Sequence, residues 1–388
     1  MGYKVCYMMK RYLTPFIEGY TIGSKNLIKA TRLAGVNATV LSAEPGSCQI
    51  EESATYVFRT LFAEKFHVDN LVTASYASFL SSLNDYDVIH FLPNLPGDVY
   101  ASFIRLKLRK ETRIIAHFAH PYHPFIHSPF SRFRLSFLCK KVLDYVFCTT
   151  NFLVEYFRQN TGIQESRIFC VPLPVDTDKY KPLPQKGKLR EKHGISGEHI
   201  IAFVGQIEPV RGVFELLRAF YKVVKHIDNV QLVISSPRLA YERPYISAFQ
   251  KIVRKLKLED KVVSLGPQHR LEEIYNLADI VAFPYTQPYY YMDPPLTLFE
   301  AMASGALIIA SDVGAVSELV VNGKNGKLIK PRNIEALFDA IVDCIRNVDN
   351  YRFLGVKARE TVMTKFSMNR IGFTLAKLYS KILEDMPR

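Results

Sequence analysis

Residues 293–318 decide the fold, and they read Asp293-Pro-Pro-Leu-Thr-Leu-Phe-Glu-Ala-Met-Ala-Ser-Gly-Ala-Leu-Ile-Ile-Ala-Ser-Asp-Val-Gly-Ala-Val-Ser-Glu318. This stretch predicts an apolar helix over Thr297–Ala303, followed by a strand at Ala306–Ala310. Another apolar run, Ile280–Phe283, comes before the helix. Short apolar runs on both sides of a helix are typical of buried parallel strands. The stretch therefore predicts a β-α-β unit of an α/β domain.

The same alternation extends through two units of the 388-residue chain. The strands predicted for the first unit are Val5–Met9, Ala38–Ser42, Asp87–Leu92, Arg113–Phe118, Val142–Thr149 and Ile168–Val171, and its helices are Ile22–Leu33, Tyr76–Leu83 and Tyr100–Leu108. The strands predicted for the second unit are Ile200–Val204, Gln231–Ser235, Lys261–Leu265, Ile280–Phe283 and Ala306–Ala310. Its predicted helices are Val213–Val224, Pro244–Leu256, Leu271–Leu277, Thr297–Ala303 and Ile334–Arg346, and a last helix is predicted over Met368–Leu383.

A proline-rich linker separates the two units. Residues 172–184 hold four prolines, and residues 187–197 are polar and charged, as expected between domains. We therefore predict two doubly wound Rossmann-like domains that face a cleft. Residues 1–180 and 367–388 form the first domain, to which the C-terminal helix returns, and residues 190–366 form the second. Ligands of such sheets bind beyond the carboxyl ends of the strands.

The chain is basic, with a formal net charge of +13. This balance implies an anionic partner such as nucleic acid, an anionic membrane surface or a phosphorylated small molecule. Residues 128–141, SPFSRFRLSFLCKK, predict an amphipathic helix with Arg and Lys on one side and Phe and Leu on the other. Residues 103–147 therefore suit an anionic membrane surface, or they contain an ordinary helix that buries its Phe face.

The cysteines and the chain start bear on the cellular setting. None of the six cysteines has CxxC spacing, so neither a zinc site nor a thioredoxin-like motif is indicated. Most lie in apolar runs, which suits buried, reduced thiols. The N-terminus carries charges too early for a signal peptide, and no apolar run is long enough for a transmembrane helix. We expect a cytoplasmic protein, or one that is peripheral at the inner face of the membrane.

A second informative stretch is Phe203-Val-Gly-Gln-Ile-Glu-Pro-Val-Arg-Gly-Val-Phe-Glu-Leu-Leu217. It predicts a strand that ends at Gly205 and a helix that starts near Val213. Helix N-termini and the loops that lead into them favour anions. Arg211 lies in this loop, where it is either a clamp for a diphosphate or a solvent-facing side chain in a tight turn.

Glu300 lies in the apolar helix of the first stretch, where a buried carboxylate needs a partner. A ribose diol is suitable, because both of its hydroxyls can donate to the carboxylate. The alternative is a bond to neighbouring backbone or to an arginine.

Together these stretches resemble glycosyltransferase family 4, which has the two-Rossmann GT-B architecture. The similar segments of the second unit are residues 205–220, 271–285 and 296–331. In the first unit the resemblance is weaker and covers residues 19–42, 87–92, 113–121 and 171–182. The resemblance implies retaining transfer of a hexose from a nucleoside diphosphate sugar to an acceptor, without an obligate metal or a cofactor. The acceptor is a sugar or polysaccharide, or a lipid-linked one, which the basic and aromatic residues 103–147 suit.

The resemblance also implies roles for individual residues. Arg211 would bind the diphosphate and act in catalysis, and Glu300 would hold the ribose. The N–H groups of Leu296 and Thr297 would face the distal phosphate, and His120 would act near the transferred sugar. The remaining donor-binding residues are Gly19, Gly205, Gln206, Asp293 and Pro295.

Two positions depart from the family pattern. Gln206 stands where the family has a basic residue, so one positive charge on the diphosphate is missing unless Arg270 or the basic N-terminal segment supplies it. The first Glu of the E-x7-E motif falls on Met292, and Asp293 beside it is the substitute acceptor for a sugar hydroxyl. These departures leave a non-catalytic partner subunit open as an alternative.

Other classes of function have less support from the sequence. Neither unit has the GxGxxG turn of a dehydrogenase or a P-loop, and no nucleic-acid-binding module accompanies the basic residues. No carboxylate pair demands a glycosidase. An epimerase or phosphorylase of the same architecture stays open. The histidines at positions 117, 120, 123 and 127 have no familiar metal-binding spacing, so no metal site is predicted.

Overall fold

The computed structural model describes residues 2–9, 19–42, 55–57, 83–92, 108–119, 133, 135–288 and 294–384. The chain divides into two compact units. Unit 1 comprises Met1–Pro174 with Met368–Arg388, and unit 2 comprises Val175–Ser367. Each unit holds one sheet of parallel strands that are connected through helices. The predicted α/β class with two doubly wound sheets is therefore confirmed.

The described part of unit 1 has a sheet with the strand order β3-β2-β1-β4-β5-β6-β7. The strands are β1 (Lys4–Met9), β2 (Asn37–Ser42), β3 (Thr55–Val57), β4 (Val88–Leu92), β5 (Arg113–Phe118), β6 (Tyr145–Cys148) and β7 (Ile168–Cys170). The helices are α1 (Gly19–Leu33), α2 (Asn151–Thr161) and, from the end of the chain, α11 (Met368–Glu384).

Helix α11 packs against α1 inside unit 1, as the sequence predicts for the C-terminal helix. Gly372 permits the close approach, because a Cβ there would lie 2.1 Å from the carbonyl oxygen of Ala30. The hydroxyl of Tyr379 also hydrogen-bonds the hydroxyl of Tyr7 on β1 at 2.7 Å. The last helix is therefore part of the core of unit 1.

Unit 2 has the strand order β10-β9-β8-β11-β12-β13. The strands are β8 (His199–Val204), β9 (Val230–Ser235), β10 (Val262–Ser264), β11 (Ile280–Phe283), β12 (Ile308–Ser311) and β13 (Lys327–Ile329). The helices are α3 (Lys186–Lys192), α4 (Val213–Val223), α5 (Arg243–Lys255), α6 (Leu271–Leu277), α7 (Leu296–Ala303), α8 (Val316–Leu319), α9 (Ile334–Arg346) and α10 (Val348–Lys365). The order reverses between β8 and β11, and such a switch point opens a crevice at the carboxyl ends of the strands.

Three described helices of unit 2, α3, α8 and α10, are absent from the sequence prediction. Residues 187–197 are predicted as linker, yet part of this segment forms α3. Arg190 on α3 donates to the carboxylate of Asp279 at 2.8 Å, so an ion pair fixes this charged helix to the sheet. Helix α10 has no counterpart in the prediction, because its buried face includes the small residues Gly355 and Ala358.

Some predictions concern residues that the structure does not describe. Apart from their last residues, Leu83 and Leu108, the predicted helices Tyr76–Leu83 and Tyr100–Leu108 lie outside the described ranges. No helix in the described part of the chain is long and apolar enough to cross a membrane. The cysteines within the described ranges are free thiols.

Candidate functional site

The loop after β8, residues 205–212, lies at the switch point of unit 2. Gly205 has a φ of 152°, and its N–H donates to the carbonyl of Ser235 on β9 at 2.9 Å. The side chain of Arg211 folds back over Gly205, so that a Cβ there would lie 3.0 Å from Nη1 of Arg211. Glycine at position 205 therefore makes room for the guanidinium.

The same loop is fastened to the loop that follows β11. Gly212 has a φ of 71°, and a Cβ there would lie 1.7 Å from the carbonyl oxygen of Pro284. The N–H of Thr286 donates to the carbonyl of Val210 at 3.0 Å. Only glycine permits this backbone contact. The contact joins the loop 205–212 to residues 284–286, and these two segments together form the rim of unit 2.

Arg211 is buried, with 6% of its surface exposed. The alternative of a solvent-facing arginine in a tight turn is therefore wrong. Burial raises the pKa of Glu208 above its usual value, and the charge of the nearby Arg211 opposes this rise. The rim thus holds a fixed cation next to a carboxylate that ionises less readily than usual.

Helix α7 begins at the same edge of the sheet. Pro295 is its N-cap without a side-chain hydrogen bond, and its first turn contains no acidic residue. Among the residues described, Oγ1 of Thr297 is buried without a hydrogen-bond partner. The N–H groups of Leu296 and Thr297 belong to the first turn, where N–H groups have no acceptor within the helix, so together with the helix dipole they favour an anion.

Glu300 lies one turn further along α7, with 2% of its surface exposed. The hydroxyl of Tyr275 donates to its Oε2 at 3.0 Å, and the hydroxyl of Tyr180 is a second donor. Burial raises the pKa of Glu300 to about 7, while the two tyrosine hydroxyls and the charge of Lys179 oppose the rise. Within the described ranges, the hydrogen-bond partners of this carboxylate are therefore the two tyrosines, and neither a backbone group nor an arginine bonds it.

Glu242, which no sequence motif indicated as a site residue, is fully buried beside the loop 205–212. Its carboxylate accepts hydrogen bonds from the N–H of Ile207 at 2.8 Å, the hydroxyl of Ser236 at 2.6 Å and the N–H of Leu239 at 2.7 Å. A glutamate at the third position of a helical turn is a familiar capping pattern, which accounts for the Leu239 bond. The bond to Ile207 has no sequence signal, because it joins residues that are 35 positions apart.

Two family models match the chain. The model of glycosyl transferases group 1 matches residues 185–361, and the model of Glycosyltransferase Family 4 matches residues 19–179. The chain belongs to glycosyltransferase family 4. The group 1 match contains the rim of unit 2 and helix α7, and hence Arg211 and Glu300.

Curated relatives match this family 4 chain over about half of their own length. The N-acetyl-alpha-D-glucosaminyl L-malate synthase of Bacillus anthracis is 26% identical over 51% of this chain and 50% of the relative. The D-inositol 3-phosphate glycosyltransferase of Nocardia farcinica is 30% identical over 53% of this chain and 45% of the relative.

Solved structures resemble the chain over nearly its whole length. The crystal structure of Anabaena HepE in complex with UDP and glucose has a TM-score of 0.81 and 18% identity, and the match covers 98% of this chain and 100% of HepE. Sucrose-phosphate synthase from Thermosynechococcus elongatus has a TM-score of 0.78 and 17% identity, with coverage of 99% and 100%. At these identities the likeness shows the fold.

Not all residues that the family resemblance assigns to the site can be placed. His120, Met292 and Asp293 lie outside the described residues, so their roles stay predictions. Gly19 begins helix α1 of unit 1. Gln206 is half-buried and follows Gly205 in the rim, where the family pattern has a basic residue.

Arg270 does not suit the role of the missing cation in this family 4 chain. It forms ion pairs with Glu272 and Glu273, and its Nη1 lies 2.8 Å from Oε1 of Glu273. Because its guanidinium is exposed and already paired with these two carboxylates, Arg270 is a poor source of positive charge for a bound diphosphate.

His117 packs in the core of unit 1. Its Nε2 hydrogen-bonds the carbonyl of Val171 at 2.6 Å, and its ring stacks on that of His90. Burial lowers the pKa of His117 to about 4 and places the pKa of His90 well below its usual value. The described residues contain no group of three or more His, Cys, Asp or Glu side chains that could hold a metal ion.

In the described part of residues 128–141 of unit 1, the exposed and buried side chains differ from those predicted for an amphipathic helix. Phe133 and Phe137 are exposed, and so are Lys140 and Lys141, whereas Leu138 is buried. For Phe133 and Phe137 the predicted separation of Phe from Lys is wrong, because the described side chains of this segment that pack into the core of unit 1 are Leu135, Leu138 and Cys139. Aromatic and basic side chains are therefore accessible together on this segment.

Proposed function

We propose that this chain is a retaining hexosyltransferase that moves a sugar from a nucleoside diphosphate sugar to an acceptor. The observation that supports this best is the position of the buried Arg211 guanidinium and the start of helix α7 at one edge of the unit 2 sheet. Phosphate oxygens accept hydrogen bonds from a guanidinium fork and from helix N-terminal N–H groups. A diphosphate offers one phosphate to each.

The proposed donor pose follows from these groups. Arg211 binds the diphosphate, and the N–H groups of Leu296 and Thr297, which follow Pro295, face its distal phosphate. Gly205 lets the rim backbone approach the phosphates closely, and Gln206 contributes a neutral side chain beside them.

Glu300 is proposed to hold the ribose. A carboxylate offers about four lone-pair sites, and the hydroxyls of Tyr275 and Tyr180 use only part of this capacity. The ribose hydroxyls can therefore donate to the same carboxylate. The two tyrosines keep the Glu300 side chain in place before the donor arrives.

Catalysis in this scheme depends on charge in the leaving group. Breaking the sugar–phosphate bond adds negative charge to the diphosphate, and fixed donors stabilise that charge. Since Gln206 carries no charge, Arg211 supplies most of the positive charge. A leaving phosphate oxygen accepts the proton of the acceptor hydroxyl, so attack occurs on the face of the leaving group and configuration is retained. No metal and no cofactor is part of this scheme.

Three further roles are proposed from the family resemblance. His120 would contact the transferred sugar, Asp293 would accept a bond from a sugar hydroxyl, and Gly19 would approach the donor phosphate or sugar.

The UDP and glucose in the HepE complex and the glycosyl transfer named for the Nocardia relative support a nucleotide-sugar donor.

Thermal unfolding with UDP, GDP, ADP and their sugars tests the proposed function. A ligand that binds only the folded state raises the melting temperature, and the rise grows with ligand concentration relative to Kd. We expect one nucleoside diphosphate and its sugar to raise the Tm, and the same donor to release free sugar slowly. A non-catalytic partner subunit, which Gln206 favours, would bind the nucleotide without releasing sugar. No shift with any of the nucleotides would contradict the proposal.

We also propose that the enzyme acts on a lipid-linked acceptor at the inner face of a membrane. Phe133 and Phe137 are exposed large aromatic side chains, and Lys140 and Lys141 add two exposed positive charges. Exposed aromatic rings next to ammonium groups suit the interface of an anionic bilayer. The free thiols of the described residues fit a cytoplasmic setting.

A further inference from the structure

Glu242 has neutral donors around it and no ion pair among the residues that the structure describes. Its side chain is 0% exposed. A buried carboxylate is costly unless donors satisfy it. The N–H of Ile207, the hydroxyl of Ser236 and the N–H of Leu239 do so, at 2.6 to 2.8 Å.

The three bonds to Glu242 differ in what they connect. Those from Ser236 and Leu239 stay within the loop that follows β9, and Oγ of Ser236 in turn accepts from the N–H of Arg238 at 3.1 Å. The bond from Ile207 crosses to the loop 205–212. Glu242 therefore ties the backbone of the rim to the neighbouring loop.

Ile207 is linked to Arg211 through consecutive turns. The N–H of Glu208 donates to the carbonyl of Gln206 at 3.1 Å, and the N–H of Arg211 donates to the carbonyl of Glu208 at 3.1 Å. The Ile207 side chain is itself buried. A displacement of Ile207 therefore moves Glu208, and through it the backbone that carries the Arg211 guanidinium.

We infer that Glu242 is a positioning residue for the donor diphosphate, because its carboxylate holds the loop 205–212 in the conformation that places Arg211 over Gly205. This inference rests on the proposed function. Both oxygens of Glu242 act as acceptors, and glutamine offers only one acceptor atom in the same shape. Glu242→Gln therefore places an amide N–H group opposite the N–H of either Ile207 or Leu239, so that two donors face each other.

Asp279→Asn is the matched control. The carboxylate of Asp279 also accepts from a backbone N–H, that of Ile200 at 2.7 Å, and from the side chains of Lys186 and Arg190. It differs in place, since it lies before β11 and beside the start of β8, at the amino ends of the strands. If Glu242 had a purely structural role, Glu242→Gln and Asp279→Asn would have the same effect on nucleotide affinity.

The experiment is calorimetric titration of the full chain with UDP, GDP and ADP, well below the Tm of each variant. Both Glu242→Gln and Asp279→Asn should lower the Tm. Only Glu242→Gln should lower the affinity for the preferred nucleoside diphosphate, by tenfold or more, and it should leave the affinity for the free nucleoside unchanged. In an Arg211→Ala background Glu242→Gln should cause no further loss, because it acts through Arg211.

Other outcomes separate the two proposals. Wild-type chain that binds none of UDP, GDP and ADP overturns the proposed function itself. If Arg211→Ala weakens nucleotide binding and Glu242→Gln does not, only this inference is overturned. The same holds if Glu242→Gln causes an equal loss of nucleotide affinity in the wild-type chain and in the Arg211→Ala variant. Should Glu242→Gln fail to fold, Glu242→Asp must show the same loss, since its shorter side chain keeps the charge and reaches Ile207 poorly.

Discussion

The hydroxyl of Tyr275 donates a 3.0 Å hydrogen bond to Oε2 of Glu300, and both side chains are buried. The bond joins α6 to α7, the helices before and after β11. Burial raises the pKa of Glu300 to about 7, so the carboxylate proposed to hold the ribose titrates close to neutral pH. Its protonation then affects both the stability of unit 2 and the site.

Glu300 should make unit 2 less stable as the pH rises from about 4.5 to about 7. Its pKa is about 7 in the folded chain against an ordinary value of 4.5. In this window the folded state binds more protons than the unfolded state, so the free energy of unfolding falls by about 3 kcal/mol as the pH rises. Urea unfolding of wild type and Glu300→Gln from pH 4.5 to 8 measures the difference.

The comparison with Glu300→Gln is needed because buried histidines titrate in the same window with the opposite sign. Tyr275→Phe is a second control. It removes a donor to the ionised carboxylate, so it should cost more stability at pH 8 than at pH 5. A pH-independent difference between wild type and Glu300→Gln would show that the pKa is not raised.

His117 should make unit 1 less stable as the pH falls from about 6.5 to about 4. Burial lowers the pKa of His117 from 6.5 to about 4. The unfolded state therefore binds more protons in this window, and about 3 kcal/mol of stability is lost by pH 4. Hydrogen exchange of β4 and β5 in wild type and His117→Gln measures the loss, and the variant should have the weaker pH dependence. An equal pH dependence in both chains would contradict this expectation.

Gly212→Ala should be far more damaging than Gly323→Ala. The two glycines have φ angles of 71° and 73°, so the backbone strain is matched. A Cβ on Gly323 has no atom within 4 Å, whereas one on Gly212 would lie 1.7 Å from the carbonyl oxygen of Pro284. Gly323→Ala should cost about 1 kcal/mol, and Gly212→Ala about 3 kcal/mol or more, with loss of nucleotide binding. Equal costs in urea unfolding would mean that the rim contact is unimportant.

Phe137→Ser should weaken sedimentation with anionic liposomes at low salt by about tenfold. An aromatic ring that becomes buried in the bilayer interface contributes more than about 1 kcal/mol to such binding. Phe353→Ser is the control, since Phe353 on α10 of unit 2 has the same exposed fraction of 50%. Wild-type protein that stays in the supernatant would refute the membrane proposal, and equal effects of both substitutions would refute the assignment of the surface.

The sequence predicts much of the sheet architecture, because apolar runs and helical periodicity are local signals. Ile280–Phe283 and Ile334–Arg346 have the same bounds in the prediction and in the structure. Strand β13 and helix α10 were missed, since each becomes buried only through neighbours. Gly355 of α10, for example, packs directly on the carbonyl of Gly305.

The candidate site also has features that the sequence predicts and features that it does not. Arg211 and Glu300 are indicated by local motifs, but their surroundings are not. The burial of Arg211, the Tyr275 bond to Glu300 and the Ile207 bond to Glu242 arise from contacts between separate loops and helices. Such contacts depend on the strand order and on backbone positions that no single motif records.

Calorimetric titration of Arg211→Ala with the preferred nucleoside diphosphate tests whether Arg211 binds the diphosphate of the donor. Arg270→Ala is the matched control, because Arg270 is also at the carboxyl side of unit 2 but is exposed and ion-paired. We expect at least a tenfold loss of affinity for Arg211→Ala, about 1.4 kcal/mol or more, and a change within about twofold for Arg270→Ala. An Arg211→Ala variant that binds the nucleotide as tightly as wild type would contradict this role of Arg211.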